Sequence, residues 1–319
     1  MLAMAGNVPS NDIQKVSNLW EKMYIDDKFI EVKKSIRGKG SSSIVFDVFL
    51  RKKAPVAELH PCLETEKFKH CHAVIKVINN FGHDEFKNVL REVTAALKMK
   101  WHKNVCCLLG WSIYLETYSL IYEYVDGGDL LSWIKRYAND QAVITDMQIA
   151  KILWQITDGM EYISSLGIIH KDLAARNILL TANFEVKISD FGLASFCNID
   201  SLYHATVQQK LPIRWMAVEC FHQIFSEASD IWSFGILIWE VLTFGEIPYG
   251  NMTNEEIIKF IEDGNRLTLP SAAGQPWHML THDCWKYNRK DRPTFTAIKS
   301  LFTHFLKSKT VDYGYYSCK

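Results

Sequence analysis

Between Phe29 and Val48 β-branched residues accumulate around Arg37-Gly38-Lys39-Gly40, a pattern that predicts a strand, a tight loop and a second strand. A polar stretch from Arg51 to Lys69 reads as a long connection, and His72 to Ile78 (HAVIKVI) reads as another strand. Phe86, Val89, Val93 and Ala96 then recur at helical spacing, with Asp84 and Glu85 near the positive N-terminal end. Residues 105–125 return to short apolar strands, and beyond Gly127-Gly128 the period becomes helical, with helices predicted at about 129–137, 145–165, 226–244, 253–263, 276–286 and 295–307. The first 27 residues mix turn formers with charge and read as a lead-in in which Trp20 is suited to dock on the body. The fold class is therefore α+β and bilobal. A small β-rich N-lobe with one main helix covers about 28–122, a larger helical C-lobe about 126–307, and a tail 308–319.

Two charges stand where this pattern leaves them little water. Lys76 shares a strand face with Val74 and Ile78 while Ala73, Ile75 and Val77 line the other, so its ammonium needs a partner. Glu92 lies on the helical stripe of Val89, Ala95, Ala96 and Met99 and has the complementary need. Gly38 and Gly40, ahead of both, allow backbone N–H groups to approach phosphates without a Cβ in the way. Further on, HKDLAARN (170–177) sets a carboxylate, two cations and an amide around Leu173, Ala174 and Ala175. Asp190 ends the alternating strand VKIS at a turn. An Asp and an Asn on one loop and an Asp on a nearby turn can divide the work of a base and hard-cation ligands.

Composition narrows the field. The chain has 319 residues, 48% of them hydrophobic, enough for two lobes with a sizeable core. Thirty-six basic residues balance thirty-six acidic ones, which excludes a broad footprint for nucleic acid or anionic membranes. Eight scattered cysteines without a signal-peptide pattern read as reduced thiols of a cytoplasmic protein. His70-Cys71-His72 has no second cluster at zinc spacing. The most apolar run, residues 234–239, is stopped by Glu240 well short of the ~20 residues of a membrane span.

A glycine loop, a strand Lys, a helix Glu, H-x-D-x-x-x-x-N and D-F-G, in that order over roughly residues 29–307, resemble the protein kinase family. DLAARN (172–177) and LPIRWMA (211–217) are similar to the catalytic and substrate-platform loops of tyrosine kinases, with the Ala-Ala-Arg order of receptor types. His102-Lys103-Asn104 and Leu108-Leu109-Gly110 resemble receptor kinases of the fibroblast-growth-factor kind. The resemblance implies transfer of the ATP γ-phosphoryl group to tyrosine hydroxyls of protein substrates, with Mg²⁺, or Mn²⁺ in its place. It implies that Asp172 accepts or orients the hydroxyl, that Asn177 and Asp190 hold the metal, and that Lys76, held by Glu92, contacts the α/β-phosphates. Gly38 and Gly40 would cover the phosphates, the backbone of Glu123 and Val125 would bond adenine, and Val45, Val74 and Leu179 would line its slot. Arg176 would help place the hydroxyl and Pro212 would support the phenol. Asp230 would brace the catalytic loop and Glu219 would pair with Arg292. Tyr203 would be an activation-loop phosphorylation site; with Tyr313, Tyr315 and Tyr316 of the tail it would offer docking to phosphotyrosine-binding adaptors. The chain would be cytoplasmic, or the intracellular part of a membrane receptor. The rival reading is a pseudokinase-like scaffold that binds ATP with little turnover.

Several positions depart from the family pattern. Ser43 replaces the third loop glycine and Ser42 the aromatic at the loop tip. Arg37 stands where an apolar residue roofs adenine, Val74 replaces an Ala, and Tyr122 guards the rear of the slot against bulky inhibitors. Val218 replaces a Pro, which loosens its loop. Lys171 replaces an Arg whose planar fork would bind a phosphotyrosine bidentately, so activation through Tyr203 is expected to be weaker than in relatives. Asn198 and Leu202 stand where further activation-loop tyrosines occur.

Overall fold

A computed structural model describes residues 20–39, 43–78, 83–139, 144–197, 203–204 and 211–312. Gly40, Ser42, Asn198, Leu202 and the tail tyrosines Tyr313, Tyr315 and Tyr316 lie outside the described residues. The chain forms two compact units, one running to Val125 and including Phe191–Leu193, the other made of Asp126–Asp190 and Ala194 onward.

In the first unit the β-branched runs form a five-stranded antiparallel sheet of β1 (Ile30–Lys39), β2 (Ser43–Leu50), β3 (His72–Ile78), β4 (Leu108–Tyr114) and β5 (Thr117–Glu123), in the order β1-β2-β3-β5-β4. Ala73, Ile75, Val48, Leu50 and Ile121 form one apolar cluster; Val89 and Val93 of the helix at His83–Lys98 join Leu108, Trp111 and Leu120 in a second. The β4–β5 hairpin turns through Leu115 (φ 52°) and Glu116 (φ 60°), two left-handed residues in a row, which matches the right-handed twist of the strands.

One stretch differs from the sequence pattern, and the docking expected of Trp20 is observed. The polar connection expected over 51–69 contains a short helix, α1 (Pro55–Leu59), with Pro55, Val56 and Ala57 buried; Phe68 and Thr65 are buried after it. Five residues are too few to show a helical period, and the start is set by a proline at the first turn. The His83–Lys98 helix is accordingly α2. From Trp20 onward the lead-in is packed into the unit. Met23 and Ile25 are buried, the Trp20 and Trp111 rings lie 4.8 Å apart, and Trp111 Nε1 donates to the Trp20 carbonyl at 2.8 Å. The Ile25 N–H bonds the Trp111 carbonyl and the Trp111 N–H bonds the Met23 carbonyl, so the segment runs as a short parallel bridge along β4.

The second unit is mainly helical: α3 (Leu130–Asn139), α4 (Asp146–Ser165), α5 (Glu227–Leu242), α6 (Asn254–Glu262), α7 (Gln275–Cys284) and α8 (Phe295–Asp312). These are the six helices that the periodicity predicts. Thr145 and Thr253 close the starts of α4 and α6 with reciprocal bonds to Gln148 and Glu256. Helix α5 is buried on nearly every side, as its apolar run requires, and forms the centre of this unit. Short strand pairs complete it: β6 (Ile168–Ile169) with β9 (Ser195–Phe196), β7 (Ile178–Leu180) with β8 (Val186–Ile188), and β10 (Tyr203–His204) with β11 (Ile224–Phe225). Among the described residues no helix is long and apolar enough to cross a membrane.

Gly110 permits the docking of the lead-in, because a Cβ there would stand 2.6 Å from the Met23 carbonyl oxygen and 2.7 Å from the Ile25 side chain. Gly110→Ala is expected to push the segment off β4 and lower the unfolding midpoint by several degrees in scanning calorimetry, the cost of overpacking being about 1–3 kcal/mol. An unchanged midpoint would mean that the segment adds nothing to the unit's stability.

Candidate active site

In the first unit the two stranded charges meet. Lys76 Nζ lies 2.7 Å from Glu92 Oε1, with the side chains 18% and 4% exposed. The other carboxylate oxygen, Oε2, accepts the hydroxyl of Tyr122, whose Cα pairs with Val74 across β3 and β5. A buried ion pair is sustained only when its remaining lone pairs are met, and Tyr122 meets one of them. Tyr122 and Glu92 line a cavity that also borders Val56 of α1, Met99, Leu108 and Phe191.

Gly38 pairs with Val45, and Val45 with Lys76, so the second loop strand runs directly beside the lysine. Arg37 reaches back along the sheet. Its guanidinium is 3.2 Å from Asp47, lies over the Tyr124 ring at 4.3 Å, and donates to the Val125 carbonyl. Glu123 is tied down by its own N–H to the Cys107 carbonyl and by its carboxylate to the Cys107 N–H, both at 2.9 Å.

In the second unit the chain after β6 has no ladder to hold it, and side chains do so instead. His170 is wholly buried, and burial pushes its pKa down to about 4, so the imidazole is neutral. Its Nε2 faces the Ser189 carbonyl at 3.2 Å and its Nδ1 faces the Asp172 N–H at 3.2 Å, which assigns the proton to Nε2. Burial pushes Asp172 up to about 6, opposed by the positive charge of Arg176. Arg176 donates to Asp172 Oδ1. The Asn177 amide nitrogen donates to the Asp172 carboxylate and to its carbonyl, each at 2.8 Å. This turns the Asn177 amide so that Oδ1, the atom a hard cation takes, is the one not committed to Asp172. Asp190 sits in a left-handed turn (φ 65°) after β8, a conformation that Asp tolerates. Leu179, in β7, pairs with Lys187. The donor set of a carboxylate and an amide oxygen fits a hard divalent cation, and the Lys76 ammonium fits a polyphosphate.

Residues 37–302 match the family model described as protein tyrosine and serine/threonine kinase. This chain belongs to that kinase family. It is 35% identical over 237 residues to the tyrosine kinase receptor Cad96Ca of Drosophila melanogaster, a match covering 71% of this chain and 30% of that receptor. It is 41% identical over 220 residues to human ephrin type-A receptor 1, covering 69% and 22% of the two chains. Against human ephrin type-A receptor 8 the identity is 39% over 209 residues, covering 65% and 20%. The matched region thus accounts for 20% to 30% of the length of the Cad96Ca and type-A 8 receptors.

The kinase loop is suspended from α5. Asp230 accepts the N–H of His170 at 2.8 Å and of Lys171 at 3.0 Å, and burial pushes its pKa up to about 7. Those two bonds sustain Lys171 at φ 67°, a conformation that a long side chain adopts only under constraint. The Lys171 ammonium lies 4.3 Å from the Phe225 ring centroid and 4.9 Å from that of Tyr203, and 3.4 Å from Ser195 Oγ. Elsewhere in this unit Arg292, fully buried, makes a bidentate pair with Glu219 at 2.6 and 2.8 Å.

Glu240, the stop of an apolar run in the sequence, accepts the N–H of Ala175 in the 170–177 loop at 2.9 Å. A lone Glu closing an apolar helix was the available signal. Tyr122 as a partner of Glu92, and Arg37 as a clamp on the Val125 carbonyl, were likewise invisible in the spacing.

Asp230→Asn should lower the unfolding midpoint by several degrees, because one buried N–H then faces an amide NH₂ at a cost of about 1–3 kcal/mol. Scanning calorimetry tests this, and a midpoint within a degree of wild type would show that the loop is held by other contacts.

Proposed function

We propose that this chain is a protein-tyrosine kinase that transfers the γ-phosphoryl group of ATP to tyrosine hydroxyls of protein substrates in signalling. The order around Asp172 carries the reading. A buried carboxylate held by Arg176 and Asn177, on a loop suspended from buried carboxylates, is what a base or hydroxyl-orienting group needs. A nucleotide-binding scaffold without turnover would need none of that order.

ATP supplies the phosphoryl group, and a divalent cation, Mg²⁺ or Mn²⁺, neutralises its charge. In this reading Asp172 accepts or orients the phenol hydroxyl, Arg176 places it, and Pro212 supports the ring. Asn177 and Asp190 hold the cation. Lys76, fixed by Glu92, binds the α/β-phosphates, and Gly38 and Gly40 serve the phosphates through their backbone. The backbone of Glu123 and Val125 bonds adenine, and Val45, Val74 and Leu179 are assigned to the nucleotide as apolar groups. Residues 28–307 form the catalytic domain, with 1–27 leading in and 308–319 as a tail. The chain acts in the cytoplasm, by itself or as the intracellular part of a membrane receptor. Tyr203, and Tyr313, Tyr315 and Tyr316 outside the described residues, offer phosphotyrosine sites to adaptors.

Phosphorylation of a tyrosine-containing peptide, measured with ATP and Mg²⁺, tests the reading directly. Asp172→Asn is expected to lower turnover by about 10²–10⁴-fold while a fluorescent ATP analogue still binds. Wild-type protein that binds the analogue without turnover would replace the kinase with the scaffold.

Lys171 gives a second test. Its ammonium is engaged by two aromatic rings and offers a phosphotyrosine a point charge, not a fork. Phosphorylation of Tyr203 is expected to raise turnover less in the wild type than in Lys171→Arg; equal gains would remove the role given to Lys171.

A further inference from the structure

Glu240 is a buried ionisable group of the second unit to which the kinase reading gives no task. It is 2% exposed, and burial raises its pKa against the pull of two N–H donors. Both donors converge on one oxygen, Oε2: the Ala175 backbone N–H at 2.9 Å and the indole Nε1–H of Trp215 at 3.0 Å. Ala175 belongs to the loop that carries Asp172 and Arg176, and Trp215 to the segment after Pro212. One carboxylate oxygen therefore ties together two irregular segments that are 40 residues apart in sequence.

The tie is reinforced at both ends of Trp215. Ser233 Oγ, from the same helix, donates to the Trp215 carbonyl at 2.7 Å. Asp230, Ser233 and Glu240 fall within about 80° of one another around α5, so a single helix face makes every one of these bonds. The spacing also fits. Ten helical residues from Asp230 to Glu240 rise about 15 Å, close to the roughly 17 Å that five residues of extended chain from His170 to Ala175 can reach. The loop is thus held at both ends along the helix.

Trp215 in turn carries Arg176, whose guanidinium lies 4.1 Å from its ring centroid and donates to Asp172. The contacts form a closed circuit, from Glu240 to Trp215, to Arg176, to Asp172, and back along the loop to Ala175 and Glu240. A change at Glu240 reaches Asp172 by two routes, the loop backbone and the stacked guanidinium.

We propose that Glu240 is a positioning residue for the peptide substrate: through Trp215 and Ala175 it fixes the Arg176 guanidinium against Asp172, and so sets where an acceptor phenol is received. The proposal rests on the kinase reading above. It gives Glu240 no part in nucleotide binding, whose residues it does not touch.

The test uses the full chain and compares wild type with Glu240→Ala, Glu240→Gln and Trp215→Phe for kcat and KM on a tyrosine-containing peptide, with the Kd of a fluorescent ATP analogue and the unfolding midpoint measured in parallel. Glu240→Ala is expected to lower kcat/KM for the peptide by about tenfold or more, as expected when a positioning contact is lost, with the nucleotide Kd within about twofold of wild type. Glu240→Gln can place its amide oxygen where Oε2 stands and should recover most of the loss. Trp215→Phe keeps a ring for Arg176 but lacks the N–H, so it should fall between the two. Peptide kinetics within twofold of wild type in Glu240→Ala would overturn the proposal, as would a nucleotide Kd that weakens in step with the peptide KM. Where Glu240→Ala does not fold, Trp215→Phe decides, and unchanged peptide kinetics there overturn the proposal equally. Wild-type turnover is measured first; its absence removes the kinase reading itself, before any variant is compared.

Discussion

The segment that holds Asp172 has almost no regular structure of its own, so its shape depends on carboxylates buried in the helix beneath it. Backbone N–H groups that leave a ladder in a protein interior must find acceptors elsewhere. Here Asp230 takes those of His170 and Lys171, and Glu240 takes that of Ala175. Each carboxylate is costly to bury, and burial raises the pKa of both. The bonds they accept offset that cost and convert a flexible loop into a fixed one. The apolar helix α5 thus carries the two carboxylates on which this loop depends.

The first unit solves a similar problem by pairing. Lys76 on β3 and Glu92 on α2 would each be stranded alone, and together they place an ammonium at a defined height on the sheet. Tyr122 adds a hydroxyl to the same carboxylate, and Arg37 adds a second cation further along, clamped to Asp47, Tyr124 and the Val125 carbonyl. A guanidinium at that position gives the sheet a charged group tied to the Val125 carbonyl.

Arg176 and Lys171 use aromatic rings as counterparts, Trp215 for one and Phe225 with Tyr203 for the other. A ring face gives a cation a partner without a second charge to desolvate. It also leaves Asp172 as the negative group that Arg176 bonds on this loop, with Asn177 supplying neutral donors beside it. His170, neutral and held at both ring nitrogens, links the loop to Ser189, between β8 and Asp190, without adding charge to it.

Local pattern determined a good deal. The alternating runs, the six helical periods and the ordered motifs carried the α+β class, the helix positions and the residues Lys76, Glu92, Asp172, Asn177 and Asp190, because periodicity and turn chemistry act over a few neighbours. The pairing of Lys76 with Glu92 was also legible, since two isolated charges in apolar surroundings have few other solutions. What spacing could not carry was decided by tertiary structure. Helix α1 was too short to show a period, and the lead-in from Trp20 gains its order only by lying against Trp111. Arg37 reaches Val125 across 88 residues and Glu240 joins Ala175 to Trp215 across 65 and 25, and such bonds exist only once the elements that carry them have packed. Sequence therefore determined which groups are candidates for the chemistry, while packing decided which groups hold them still, because a holding group is defined by what lies beside it in space and not by its neighbours along the chain.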